Sequence, residues 1–428
     1  MSSARPLGLW AAMVLVAGNM IGSGLFLLPA SMGASGSISL ISWAIASAGA
    51  MALALVFANL GLMEPEADGA VAYVSRGLHP ALGHLGWFAY WLNCWVGTAG
   101  VALAVTGYLT FFVPGLKGQV PSLITTIGAI WLFVGANLLG PRLVARIGGA
   151  TLILGLLPIV IATGIGIWAF DADIFAASWN VSGKPAGQVI SSAIAPAFWA
   201  FLGLESANIC ASVIDNPRRN LPLAAVGGVA LAAGVYMTTS AALMGLMSAH
   251  DLAASSAPFA DALRRSAGGL AAGLVAFCAL AKSAGTLGGW ILVTAETQRS
   301  GAAAGFLPRF LSSPGLPVRD LIVSGLLMSF ATVASASATL GAQFTILINV
   351  CVILAMILYL LCSLALLRRA GEIEGTVAQG RARLAALAGG GFSLWVIVTM
   401  DPGLRLPTLL TGVASLGLWL LSRRRSLP

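Results

Sequence analysis

Glu205 and Lys282 are the two side chains of this chain whose position most needs a chemical reason. Each stands near the middle of a long apolar run, Glu205 in PAFWAFLGLESANICA (196–211) and Lys282 in FCALAKSAG (277–285). A charge at the centre of a bilayer costs at least ~2.5 kcal/mol, so it persists where it binds, gates or relays something. A third stretch, VAGNMIGSGLFLLPA (16–30), carries no charge but is just as costly. Gly18, Gly22 and Gly24 sit there with Asn19 and Ser23 amid hydrocarbon side chains. A mid-helix glycine loses ~1 kcal/mol relative to alanine, and unpaired backbone survives at membrane depth only where it is buried in protein or lines a cavity. Close helix packing would explain any one of these glycines. The cluster, with its polar side chains, predicts an unwound segment.

Other chemistries lack their residues. The apolar runs contain no His-Glu-x-x-His, no Gly-x-Ser-x-Gly and no aspartate pair, and Glu205 is their one mid-run carboxylate, so no enzyme is expected. A channel would show a polar stripe or a repeated filter loop. Cys94, Cys210, Cys278, Cys351 and Cys362 lie singly in apolar runs and read as small hydrophobes. His79, His84 and His250 are expected in loops without metal-ligand spacing, and no cofactor is expected.

The elements that must position these residues are membrane helices. The chain is 58% hydrophobic and 8% charged, against roughly 25% charged in a soluble domain. Its apolar runs recur at the length of about 20 residues that crosses ~30 Å of hydrocarbon. Twelve crossings are expected, near 7–30, 38–63, 82–113, 121–140, 146–170, 188–212, 221–247, 268–298, 318–338, 343–367, 384–401 and 405–422. With the N-terminus inside, cytoplasmic segments hold 16 of the 22 Lys and Arg, the outer segments hold five, and Lys282 is the remainder. That bias puts both termini in the cytoplasm. It also accounts for the net charge of +8 without nucleic acid.

The two irregular stretches open spans one and six. Interrupted helices at matching positions of two halves point to an inverted-repeat transporter with its substrate at the midplane. The expected fold is therefore an all-α membrane protein in one transmembrane domain: a 5+5 inverted repeat (1–170 and 188–367) with broken helices 1 and 6, plus two C-terminal helices (384–422). Half-helix N-termini favour a carboxylate, and free carbonyls favour an ammonium. The Ser23 hydroxyl and neighbouring N–H groups would then take the α-carboxylate of an amino acid, and the carbonyls around Met20, Trp199 and Leu202 its amine.

The motifs GNMIGSGLFLLPA, YWLNCWVG, FWAFLGLESA, RNLPLAAVGGV and GTLGGW resemble the amino acid-polyamine-organocation superfamily, and within it the bacterial arginine/agmatine antiporters. Exchangers of lysine for cadaverine, or ornithine for putrescine, share much of the pattern. The resemblance implies that Ser23 and Gly24 bind the substrate carboxylate and that Trp199 closes over it from outside. It implies that Trp290 faces the guanidinium, where a cation over an indole gains ~0.5–2 kcal/mol. Tyr90, Glu205, Trp290 and Tyr359 would form a gate below. Three positions depart from the pattern: Thr98 replaces an asparagine, Cys351 a serine and Lys282 a glycine. Lys282 would be neutral, pair with Glu205, or occupy the place where sodium-coupled relatives hold a cation. The implied protein is a multi-pass antiporter of the bacterial inner membrane, with amino acids, amines and lipid as its partners. Dimers are common in the resembled group. A proton-coupled symporter using Lys282 or Glu205 is the alternative.

Overall fold

The computed structural model describes residues 8–67, 69–205, 214–313 and 317–425. It begins with α1 (Leu9–Met20), a 3₁₀ turn (Ser23–Phe26) and α2 (Leu28–Gly33), then α3 (Ser39–Met63), α4 (Ala70–Gly77) and α5 (Pro80–Phe112). Next come α6 (Gln119–Leu139), α7 (Pro141–Trp168), α8 (Ala172–Ala177), α9 (Ala186–Trp199) and α10 (Pro217–Leu246). The chain continues through α11 (Ala249–Ala254), α12 (Pro258–Ser266), α13 (Gly268–Ala303) and α14 (Val318–Ala334). It closes with α15 (Leu340–Arg369), α16 (Thr376–Thr399) and α17 (Arg405–Arg425).

Among the described residues nine helices are long and apolar enough to cross a bilayer, and α1 with α2 makes a tenth crossing bent by 57°. The expected crossings six and nine differ. α9 has 14 residues, about 21 Å at 1.5 Å each, and stops short of the ~30 Å needed. The rest of that expected span, 206–212, lies outside the described residues, as do Arg5 and Cys210. α14 has 17 residues, about 26 Å by the same rise.

Helix starts follow local chemistry. Asp171 caps α8 by accepting from the N–H groups of Asp173 (2.8 Å) and Ile174 (3.1 Å), and Ser248 caps α11. Proline opens α5, α7, α10 and α12, where its missing N–H costs nothing. Pro80 also corrects the expected loop around His84, which lies buried inside α5. Its Nδ1 is 2.8 Å from the Ser415 hydroxyl, which ties α17 to the rest of the molecule.

The most enclosed helix is α5, with 83% of its apolar window buried against 6% for α17, so α5 is an inner column and α17 faces the surroundings. α15 and α13 pack along α5, α7 lies on α13, and α1 and α3 lie on α10. Small residues set these approaches: Gly228 of α10 lies against Val16 of α1, and Gly285 of α13 against Thr151 and Gly148 of α7. On the face expected to be cytoplasmic, Glu64 at the end of α3 pairs with Arg76 of α4 (2.8 Å) and with Arg369 of α15. Arg369 also holds Glu372 (2.8 Å), and Arg368 donates to the Leu78 carbonyl (3.2 Å).

Candidate functional site

α1 ends at Met20, with the Ile21 N–H still bonded to the Ala17 carbonyl at 2.8 Å. Ile21 (φ −73°, ψ 84°) and Gly22 (φ −123°, ψ −170°) then leave the helix, and the 3₁₀ turn redirects the chain into α2. Among the described residues, the carbonyls of Gly18, Asn19 and Met20 accept no hydrogen bond, and the N–H groups of Gly22, Ser23 and Gly24 donate none. The unwound segment expected from the glycines is present. The Ser23 side chain lies outside the described residues.

Past α9 the chain turns in 3₁₀ fashion, with the Phe201 N–H on the Phe198 carbonyl (2.9 Å) and the Leu202 N–H on the Trp199 carbonyl (3.2 Å). The Trp199 carbonyl thus keeps one lone pair open, whereas that of Leu202 accepts nothing among the described residues. Gly203 has φ +103°, a left-handed conformation that only glycine adopts cheaply. Its N–H donates to Glu205 Oε2 at 3.1 Å.

The two breaks meet. A Cβ on Gly203 would lie 3.4 Å from the Asn19 carbonyl oxygen, and one on Gly24 would lie 2.6 Å from Trp199 Nε1. The far edge of the same indole rests on α5, where a Cβ on Gly97 would be 3.0 Å from its Cη2 and 3.4 Å from Cys351 Sγ. Trp199 thus spans from the first break to α5, with Phe344 edge-on at 6.4 Å and 88°. Gly24, Gly97 and Cys351 thus gather around the Trp199 indole.

Glu205 lies in the second break. Its Oε2 accepts from the Tyr359 hydroxyl at 2.6 Å, and Tyr90 is within electrostatic reach of it. Phe57 and Phe198 pack on the Tyr359 ring at 5.2 and 6.4 Å. Two more expected site residues stand on α5 and α13. Thr98 is buried and gives its hydroxyl to the Cys94 carbonyl of its own helix (2.7 Å), with Thr294 of α13 at 3.5 Å. Trp290, one turn along α13 from Thr294, is 37% exposed and makes no ring contact among the described residues.

Lys282 does not pair with Glu205. Its stem lies across Gly155 of α7, where a Cβ would meet Cγ, Cδ and Cε at 2.5 to 3.1 Å, and among the described residues it has no acidic partner. Glu205 is instead held by Tyr359 and Gly203.

Three positioning residues carry no signal in their own motifs. Asn93 donates to the Cys351 carbonyl (2.7 Å) and locks α5 to α15. Tyr236 donates to the Ala200 carbonyl (2.9 Å), and Tyr108 to the Phe26 carbonyl (3.1 Å), so each break is held from outside by a buried tyrosine. A lone tyrosine inside a long apolar run is the one hint the sequence offers, because a buried hydroxyl seeks an acceptor.

Backbone N–H groups, unpaired carbonyls, an indole and one carboxylate together offer donors and acceptors to a small molecule with both an ammonium and a carboxylate. The protein is a multi-pass membrane transporter, and it belongs to the amino acid permease family, whose model matches residues 7–398. That family falls within the amino acid-polyamine-organocation superfamily. Over 380 residues the chain is 34% identical to the cadaverine/lysine antiporter of Escherichia coli (strain K12), covering 87% of this chain and 85% of that one. It is 28% identical over 389 residues to the putrescine transporter PotE of the same organism, covering 90% and 88%. The PotE protein of Haemophilus influenzae is 29% identical over 360 residues, covering 82% of each.

Proposed function

We propose that the protein is an antiporter that takes up a basic amino acid in exchange for its decarboxylated diamine, with lysine and cadaverine as the pair. The scaffold would be the twelve-span 5+5 inverted repeat, in a bacterial inner membrane with both termini inside. The observation that carries this reading is the break after α1: among the described residues three carbonyls without a partner are followed, past Ile21, by three N–H groups without one, and Trp199 packs against Gly24. The N–H groups of Ser23 and Gly24 would receive the carboxylate, and the Met20 and Leu202 carbonyls the α-amine. Glu205, held by Tyr359, would meet the distal charge or close the path below it, with Tyr90 beside it.

Lysine is favoured over arginine by Thr98. A guanidinium is a planar fork of five donors that asks for several placed acceptors, and Thr98 offers it one oxygen where an asparagine would offer a carbonyl on a longer arm, with its own proton already given to the Cys94 carbonyl. The similarity to the cadaverine/lysine antiporter supports the same choice. The exposed Trp290 indole supports the second reading, arginine against agmatine, because its open face suits a guanidinium.

The test is uptake of labelled lysine or arginine into proteoliposomes loaded with cadaverine, agmatine or buffer. Lysine uptake driven by internal cadaverine, and weak in buffer-loaded vesicles, is expected. Arginine uptake driven only by agmatine would move the assignment to the second pair. Uptake that needs a pH gradient instead of an internal amine, and is lost in Lys282→Ala, would replace exchange by proton symport.

A further inference from the structure

On the face expected to be extracellular, a cavity of about 200 Å³ lies among three connections: the start of α6, the α11–α12 turn and the start of α15. It is far larger than the ~15 Å³ that holds one water and smaller than the ~300 Å³ at which drug-sized pockets begin. Its walls carry polar groups of both signs. Lys117 stands on one side and has no ion pair among the described residues. Beside it α6 begins without a side-chain cap, so the N–H groups of Gln119 and Val120 are open at the positive end of a 21-residue helix. The other side holds Asp261 and Gln343.

Gln343 supplies an independent sign of a ligand. It is only 5% exposed, and its amide nitrogen donates to the Thr332 carbonyl (2.7 Å) and the Ser335 hydroxyl (3.3 Å). Its amide oxygen accepts nothing among the described residues, although the side chain lines the cavity. That oxygen keeps accessible surface at the cavity, so it stands as an acceptor open to whatever enters. Asp261 also has capacity to spare: Oδ2 accepts from Ser255 at 2.6 Å, and Oδ1 has only Arg264 at 3.9 Å.

We infer that this cavity is a second, outer binding site for a free amino acid, distinct from the site at the helix breaks. The carboxylate faces Lys117 and the α6 N-terminus, and the ammonium faces Asp261 and the Gln343 oxygen. The start of α15 lines this cavity and also packs on α2, the helix that follows the first break. Gly341 lines the cavity and lies against Ala30 of α2, and Thr345 is 2.8 Å from Ser31 of α2. A bound amino acid therefore braces α15 where it supports the outer half of the broken helix.

The test uses the full chain carrying Gly24→Leu, which obstructs the central site through Trp199, with equilibrium dialysis of radiolabelled lysine. One saturable lysine per chain is expected to remain. Asp261→Asn and Gln343→Leu, added singly, should each weaken it about tenfold, the effect of losing one bond to a charged group. Acetate and cadaverine, each matching one end of the cavity, should compete at least about tenfold less well on the same ground. No saturable lysine, binding indifferent to both substitutions, or competition by acetate or cadaverine equal to that of lysine overturns the assignment. If Gly24→Leu does not elute as a folded protein, Ala338→Cys in the otherwise native chain gives the second reading. Lysine should protect it from an impermeant maleimide, and Gln343→Leu should abolish that protection. Absent protection, or protection surviving Gln343→Leu, overturns the assignment equally. Dialysis reads no transport, so loss of exchange and loss of this site are separate results.

Discussion

Glu205 takes both of its hydrogen bonds from other residues on a single oxygen, from the Tyr359 hydroxyl and the Gly203 N–H, and Oε1 accepts nothing from another residue among those described. The bound oxygen fixes the side chain and leaves the other to act. Tyr359→Phe removes one charge-assisted bond, worth ~1.5–3 kcal/mol. Exchange should fall about tenfold or more, with the protein still folded by size-exclusion; unchanged kinetics would remove Tyr359 from the gate. Gly24 tests the centre. Its added Cβ lands 2.6 Å from Trp199 Nε1, so Gly24→Ala must displace the indole and should slow exchange severely. Normal transport by Gly24→Ala would mean that Trp199 does not work from this position. At this scale the sequence was informative where a residue type was costly in its place, as with Glu205 and the glycines. It was silent on Asn93, Tyr108 and Tyr236, whose role is the carbonyl each one holds, and those partners lie between 36 and 258 positions away.

The broken helices were legible because glycine and proline change the local backbone energy wherever the chain goes. The exact stop of α9 was not, since Pro196 lies inside the helix and the positive φ comes seven residues later, at Gly203. Gly203→Ala brings a strained backbone, about 1–2 kcal/mol, and a contact with Asn19. It should lower the thermal midpoint in detergent and reduce lysine affinity together; a change in neither would mean that the breaks do not depend on each other. The short helices α4, α11 and α12 escaped the sequence reading because they are too brief for a periodic apolar pattern. Their positions come from ion pairs: Glu64 holds Arg76 and Arg369, and Asp251 holds Arg265 at 2.8 Å. Glu64→Gln should cost roughly 1–3 kcal/mol, because Arg369 is only 19% exposed and loses a charged acceptor. Thermal unfolding checks this.

The placement of Lys and Arg predicts which face meets the cytoplasm, and the connections at the opposite face must then withstand the outside medium. The Arg265 hydrogen bond holds the Asp251 carboxyl below its ordinary 3.8. A depressed carboxyl contributes its pairing above the unfolded value and loses it only as pH falls through the lower folded one. The α11–α12 clasp should therefore be as firm at pH 5 as at pH 7. Arg265→Gln should shift the thermal midpoint equally at both, and a shift present at pH 7 but absent at pH 5 would contradict the pairing.

The open backbone of the α1 break has a kinetic meaning for the whole carrier. While the site faces water, its free carbonyls and N–H groups are solvated; when it is sealed from both sides, they need a cargo to pair with. Each group left dry costs several kcal/mol, so an unladen carrier meets a higher barrier on the return trip than a laden one. For the proposed exchange, one-for-one turnover would then need no separate coupling device, because the same six groups proposed to receive the passenger would suppress leak.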